Sequence, residues 1–195
     1  MLQHEKRRCL AAFGILGAGL LLLLLLNLRI GSVRVPMDQL WEILRGENRD
    51  STAGQIIWTI RMPRLIAAAV LGGALAVAGF LLQTFFSNPI AGPFVLGISS
   101  GASAGASLAL LTPIQFLAGQ RQTTAFAFLG ALFSALVVYS LAKKAGGGKL
   151  RPVTLLLSGT AVNAVMSAVT SFLIFRAKSP EGIAAVYSWQ MGSIS

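Results

Sequence analysis

Residues 61–111 read RMPRLIAAAVLGGALAVAGFLLQTFFSNPIAGPFVLGISSGASAGASLALL. The stretch opens on a basic helix start, runs into a long apolar helix, breaks, and resumes as a second helix rich in Gly, Ala and Ser. Ala68, Gly72 and Ala76 fall four residues apart in the first helix. Gly97, Gly101 and Gly105 fall on one line of the second, and Ser99, Ser103 and Ser107 on another. Residues four apart share a helix face. Small residues there let helices approach closely, which is how helices associate in lipid. The break Asn88-Pro89-Ile90-Ala91-Gly92-Pro93 is poor in helical hydrogen bonds, since each proline lacks a donor. Such backbone persists at membrane depth only where protein or water covers it.

The rest of the chain agrees with a membrane setting. It has 195 residues, 55% hydrophobic and 11% charged, and several apolar runs reach the ~20 residues that cross a bilayer. The runs are continuous rather than alternating, which argues against a β-barrel. The expected fold is all-α, a polytopic transmembrane helical bundle in one domain, residues 1–195. Its spans are expected at about 10–28, 65–86, 94–111, 125–142 and 153–175, with a further segment starting at 184–195. No internal repeat is visible. The basic start Lys6, Arg7 and Arg8 before an apolar run also describes a signal peptide, but no Ala-x-Ala-like site follows in Asn27–Ile30. Gly31–Ile60 is polar and mixed in charge. It reads first as a solvated loop with Trp41 and Trp58 as interfacial anchors. The alternative is a short surface helix over Met37–Arg45 with Leu40, Trp41 and Leu44 toward the membrane.

The net charge of +10 comes from 16 Lys and Arg against 6 Asp and Glu. These charges sit between apolar runs, so they read as loop and helix-end anchors and no nucleic acid is expected as a partner. Cys9 is the one cysteine, so an intrachain disulfide and a CxxC site are excluded. It reads as an apolar residue at the membrane edge, or as a palmitoylation site.

Catalysis is poorly provided for. Gly97-Ile-Ser99-Ser-Gly101 and Gly101-Ala-Ser103-Ala-Gly105 both match Gly-x-Ser-x-Gly. A serine nucleophile needs a base beside it, yet the one histidine is His4 and no Asp, Glu or Lys lies in any expected span. Gly146-Gly147-Gly148-Lys149 lacks the Ser or Thr that a phosphate loop places after its lysine. One His and one Cys cannot build an iron cage, so no metal site and no cofactor are expected. The chain reads as a non-enzyme.

The order of elements resembles the FecCD-type permeases, the membrane subunits of ABC importers for ferric siderophores, haem and cobalamin. The resemblance rests on Arg61-Met62-Pro63-Arg64, Gly72, Gly79, Gln83, Asn88-Pro89, Ala91, Pro93, Leu96-Gly97 and Ser100-Gly101-Ala102. Leu155–Gly159 with Asn163, and Trp189 with Gly192-Ser193, extend it along nearly the whole chain. It implies a permease subunit that moves a metal chelate across a bacterial inner or plasma membrane. It implies three partners: a cytoplasmic ATP-binding subunit that hydrolyses ATP, an extracytoplasmic substrate-binding lipoprotein or periplasmic protein, and a second permease copy, identical or not. Membrane lipid surrounds them. In the family an Arg of this motif meets a Glu of the binding protein, which points to Arg61 first and Arg64 second. Helix-end anchoring, with Pro63 in the first turn, is the plainer reading. Gly159, Asn163, Ser167 and Ser171 lie four apart on the expected fifth span. They serve helix packing or line the translocation path, as do Gly97, Gly101 and Gly105. Asn88, Pro89, Gly92 and Pro93 form the structural break.

The resemblance also implies a cytoplasmic N-terminus. That orientation puts seven Lys and Arg inside and nine outside, so the positive-inside count mildly opposes it. Family members have about ten spans and a coupling segment in their second half. The chain is therefore expected to be truncated at its C-terminus, with five to six spans. A non-transporting fragment and a membrane protein of non-importing role are the alternatives.

Overall fold

The computed structural model describes residues 2–31, 33–112 and 119–192, with backbone alone for residues 2–5. Among the described residues every regular element is helical: α1 (Leu2–Arg29), α2 (Met37–Arg45), α3 (Thr52–Gln55), a π-helical turn (Ile56–Arg61), α4 (Met62–Phe86), a 3-10 turn (Pro93–Leu96), α5 (Ile98–Leu111), α6 (Gln120–Ala145), α7 (Pro152–Arg176) and α8 (Pro180–Met191). Among the described residues four helical stretches are long and apolar enough to cross a membrane: Lys6–Arg29, Thr52–Phe86, Gln120–Ala145 and Pro152–Arg176. The chain divides into two compact units, Met1–Gly73 and Ala74–Ser193.

The first unit has a small core of Leu28, Val35, Leu40, Ile43 and Ile57, with Leu44, Ala53, Trp58, Met62 and Leu65 packed against it. Gly31–Ile60 is thus no plain loop. The Met37–Arg45 helix exists, but Leu40 and Ile43 point into this core and Leu44 packs against it, while Trp41 is 52% exposed. Its apolar stripe closes on the neighbouring helix ends because that removes more apolar surface from water than lying open would. Gly46, in the left-handed conformation at φ 97°, ends α2. The Ser51 hydroxyl caps α3 by accepting from Gly54 N–H at 3.0 Å. A Cβ on Gly54 would lie 2.5 Å from the carbonyls of Asn48 and Arg49, so this turn admits only glycine. Arg49 stacks over the Trp58 ring at 4.5 Å.

Helix starts at Thr52 rather than Leu65, giving 35 continuous residues to Phe86. At ~1.5 Å per residue that is about 52 Å, longer than the ~30 Å hydrocarbon core. The π turn lies inside it: Met62 N–H reaches back five residues to Ile57 O. Pro63 accounts for the widening. It has no N–H for the carbonyl four residues back, and its ring crowds that carbonyl.

In the second unit α5, α6 and α7 pack together, with α8 and the 3-10 turn against them. The apolar stretch 94–111 is not one span. Pro93–Leu96 is a 3-10 turn, Gly97 switches the chain at φ 68°, and α5 has 14 residues. At about 21 Å, α5 is too short to cross the hydrocarbon alone. The final segment begins at Pro180, not 184, and its α-helix ends at Met191; Ser193–Ser195 lie outside the described residues, as do residues 113–118 between the expected third and fourth spans. Arg121 belongs to α6.

Candidate functional site

Arg61 is buried at 8% exposure. Its Nη1 donates to Leu28 O and its Nη2 to Val33 O. The last four carbonyls of a helix have no partner within it, and Leu28 belongs to the last turn of α1. A cation there also opposes the negative end of the helix dipole. The fork of the guanidinium spans both acceptors, which a point-like ammonium does not. A Cβ on Gly31 would sit 2.6 Å from Nη2. Gly31 therefore leaves the space in which the guanidinium lies. Arg64, one turn on, is exposed and has no hydrogen bond or ion pair among the described residues. The two arginines of the motif are thus physically distinct: one closes an internal contact and the other is free.

The glycine line of α5 is a set of close helix approaches. A Cβ on Gly101 would lie 2.5 Å from Gly130 O and 2.7 Å from Ser134 Cβ. One on Gly105 would meet Phe126 of α6. Gly97 faces α7 instead, where a Cβ would be 3.0 Å from Asn163 N and from Gly159 O. Gly159 returns the contact, 2.5 Å from Val95 O. Gly97, Gly101, Gly105 and Gly159 therefore all stand at close backbone approaches. Gly130 and Ser134 complete the crossing, and the sequence reading passed over them, although they stand four apart in an apolar helix as the α5 glycines do. Ser107 and Ser134 are fully buried, and their hydroxyls have no partner among the described residues. The matching line on α4 behaves differently. Among the described residues nothing lies within 4 Å of a Cβ on Gly72, Ala68 and Ala76 are exposed, and no residue of α4 is buried.

The polar line on α7 splits. Gly159 is packed, while Asn163, Ser167 and Ser171 are exposed, without side-chain hydrogen bonds among the described residues. The buried residues of α7 are Ser158, Gly159, Val162 and Thr170, so the three polar side chains stand just beside the packed stripe. Between α4 and the 3-10 turn, residues 87–92 are not helical. Asn88 accepts from Ile90 N–H at 2.9 Å and Ser87 takes φ 50°, a local Asn turn that replaces helix. Beside it a cavity of about 360 Å³ is lined by Phe86, Asn88, Ile90, Ala91, Val95, Pro152, Val153 and Leu156.

Residues 19–195 match the FecCD transport family. The chain belongs to that family. It is therefore a multi-pass membrane protein of a transport family. The chain is 43% identical, over 73% of its length, to a cobalamin import system permease of Halobacterium salinarum, covering 37% of that protein. It is 39% identical to the achromobactin transport system permease of Dickeya dadantii, over 90% of this chain and 50% of the relative. The ferric enterobactin transport system permease of Escherichia coli is 36% identical over 90% of this chain and 52% of its own length. Among solved structures, a metal-chelate type ABC transporter in an inward-facing conformation superposes with a TM-score of 0.71 at 26% identity. It covers 90% of this chain and 52% of that one. The chain spans about half the length, or less, of these relatives.

Proposed function

We propose that this chain forms part of a permease subunit that imports a ferric siderophore or similar metal chelate. Family membership over residues 19–195 carries the reading. ATP is hydrolysed by a separate cytoplasmic subunit. An extracytoplasmic binding protein delivers the chelate, and two permease copies rock between outward and inward states. The N-terminus is cytoplasmic and the membrane is the bacterial inner or plasma membrane.

Arg64 is the better docking contact for the binding protein, because it is exposed and Arg61 is occupied internally. A rim charge of this kind steers encounter and sets register more than it adds affinity. The path runs along Asn163, Ser167 and Ser171. Free polar groups on a membrane helix require a partner or water, and a hydrated path supplies one.

The test is uptake of labelled ferric siderophore in cells lacking their own permease. The chain is compared with a version extended to the full length of its relatives. Uptake with the continued version supports the reading. Absence of uptake for siderophore, haem and cobalamin alike, with both versions inserted in the membrane, refutes it.

A further inference from the structure

We propose that the turn joining α6 to α7 and the cavity beside it hold one anionic phospholipid, its headgroup on the turn and an acyl chain in the cavity. The turn carries Lys143, Lys144, Lys149 and Arg151 within nine residues and no acid. It is a fixed structure. Gly148 N–H donates to Lys143 O at 2.9 Å and Gly147 N–H to Lys144 O at 3.3 Å. Gly147 and Gly148 take φ 66° and 86°, which brings Lys149 back over the end of α6. All four cations are exposed, and none forms an ion pair among the described residues.

The second unit has a single carboxylate, Glu181. It lies at the opposite end, where α8 begins next to the C-terminal end of α5. Its pKa is lowered, first by the Ser179 hydroxyl, which donates to it at 2.7 Å. No acid of this unit therefore neutralises the turn.

Arg151 is the N-cap residue of α7, and the next two residues, Pro152 and Val153, line the cavity. Its wall is otherwise Phe86, Ile90, Ala91, Val95 and Leu156, with Asn88 as the one polar side chain. At about 360 Å³ it is within the range of small-ligand sites. Exposed Tyr139, Leu141, Leu150 and Val153 flank the cations, and Lys143 lies over the Tyr139 ring at 5.8 Å. A negative headgroup with an apolar tail matches exposed cations on a turn whose next residues, Pro152 and Val153, line an apolar cavity. An acidic protein surface would match the cations and leave the cavity empty. The inference does not depend on the importer reading.

The chain is purified in mild detergent and mixed with equal phosphatidylglycerol and phosphatidylcholine. Retained lipid is then counted by native mass spectrometry. One phosphatidylglycerol is expected in preference to phosphatidylcholine. The double variant K149Q/R151Q is expected to lose about fivefold in retention per cation removed. A91W, which fills the cavity, is expected to lower retention with the cations intact. The control R176Q/K178Q, at the other end of α7, is expected to retain lipid normally. Helical circular dichroism and a monodisperse elution profile establish that each variant is folded. Equal retention of the two lipids overturns the proposal. So does an equal loss in the control, displacement of the lipid by inorganic phosphate alone, or unchanged retention in K149Q/R151Q with loss of an acidic protein partner instead.

Discussion

Replacing Arg61 by Ala should destabilise the first unit rather than weaken docking. Arg61 makes two hydrogen bonds, to Leu28 O and Val33 O. A hydrogen bond to a charged group contributes ~1.5–3 kcal/mol net. Two would give about 3–6 kcal/mol. The 29–33 loop is exposed where described, so Val33 O regains water when the arginine is removed, and about 3 kcal/mol is the expected loss. For a chain of this length that corresponds to a fall of about 6–12 °C in melting temperature. Arg61→Lys keeps the charge but bridges one carbonyl at best, so it should lose about half as much. Arg64→Ala, at an exposed and unpaired position, should stay within about 0.5 kcal/mol of the parent. Gly31→Ala places a methyl 2.6 Å from the guanidinium and should disturb the same bonds. Combined with Arg61→Ala it should therefore be strongly non-additive. The assay is thermal unfolding in detergent, followed by tryptophan fluorescence, with binding-protein capture on the same samples. An Arg61→Ala protein that melts like the parent but fails to capture the binding protein would refute this reasoning. So would additive behaviour of the double variant.

Other consequences of the structure are simpler to check. Gly101→Leu should lower the yield of folded protein sharply, because Gly130 O stands 2.5 Å from even a Cβ; size-exclusion recovery reads this, and normal recovery would show that α5 and α6 do not cross here. Ser134→Ala should be neutral or stabilising by up to about 1 kcal/mol, since it removes a buried hydroxyl with no partner among the described residues. A measured loss above that would mean the hydroxyl is bonded. Asn163→Leu should leave melting nearly unchanged, as the side chain is exposed, yet reduce uptake by a protein continued to family length; unchanged uptake would remove α7 from the path. Ser179→Ala should remove the cap of α8 and the bond that lowers the Glu181 pKa. A lowered carboxylate pKa stabilises above the unfolded value of 4.5 and stops doing so as pH falls through the folded value. The variant should therefore melt lower than the parent above pH 4.5, with a gap that narrows in more acid solution.

Chain chemistry alone determined the class of the molecule. Apolar runs near the length of a bilayer leave helices as the economical solution, because every backbone group must then be satisfied within its own segment. The Asn88–Pro93 break and the small-residue line of α5 were equally legible, since proline, glycine and four-residue spacing act locally. The motif from Arg61 to Ala102 carried the family. Tertiary structure decided the rest. Nothing local distinguishes Arg61 from Arg64; only the end of α1, more than thirty residues away in sequence, makes one an internal tie and leaves the other free. The stripe of α2 was visible, but its partner was not, because a stripe seeks whatever apolar surface lies nearest and hydropathy does not say whether that is lipid or protein. Gly159 and Asn163 share a helix face by spacing and part company in the fold, since the 3-10 turn at Val95 and Leu96 closes on Gly159 while the Asn163 side chain stays exposed. Periodicity assigns residues to faces. Which face is covered depends on chain that is distant in sequence, and only packing settles it.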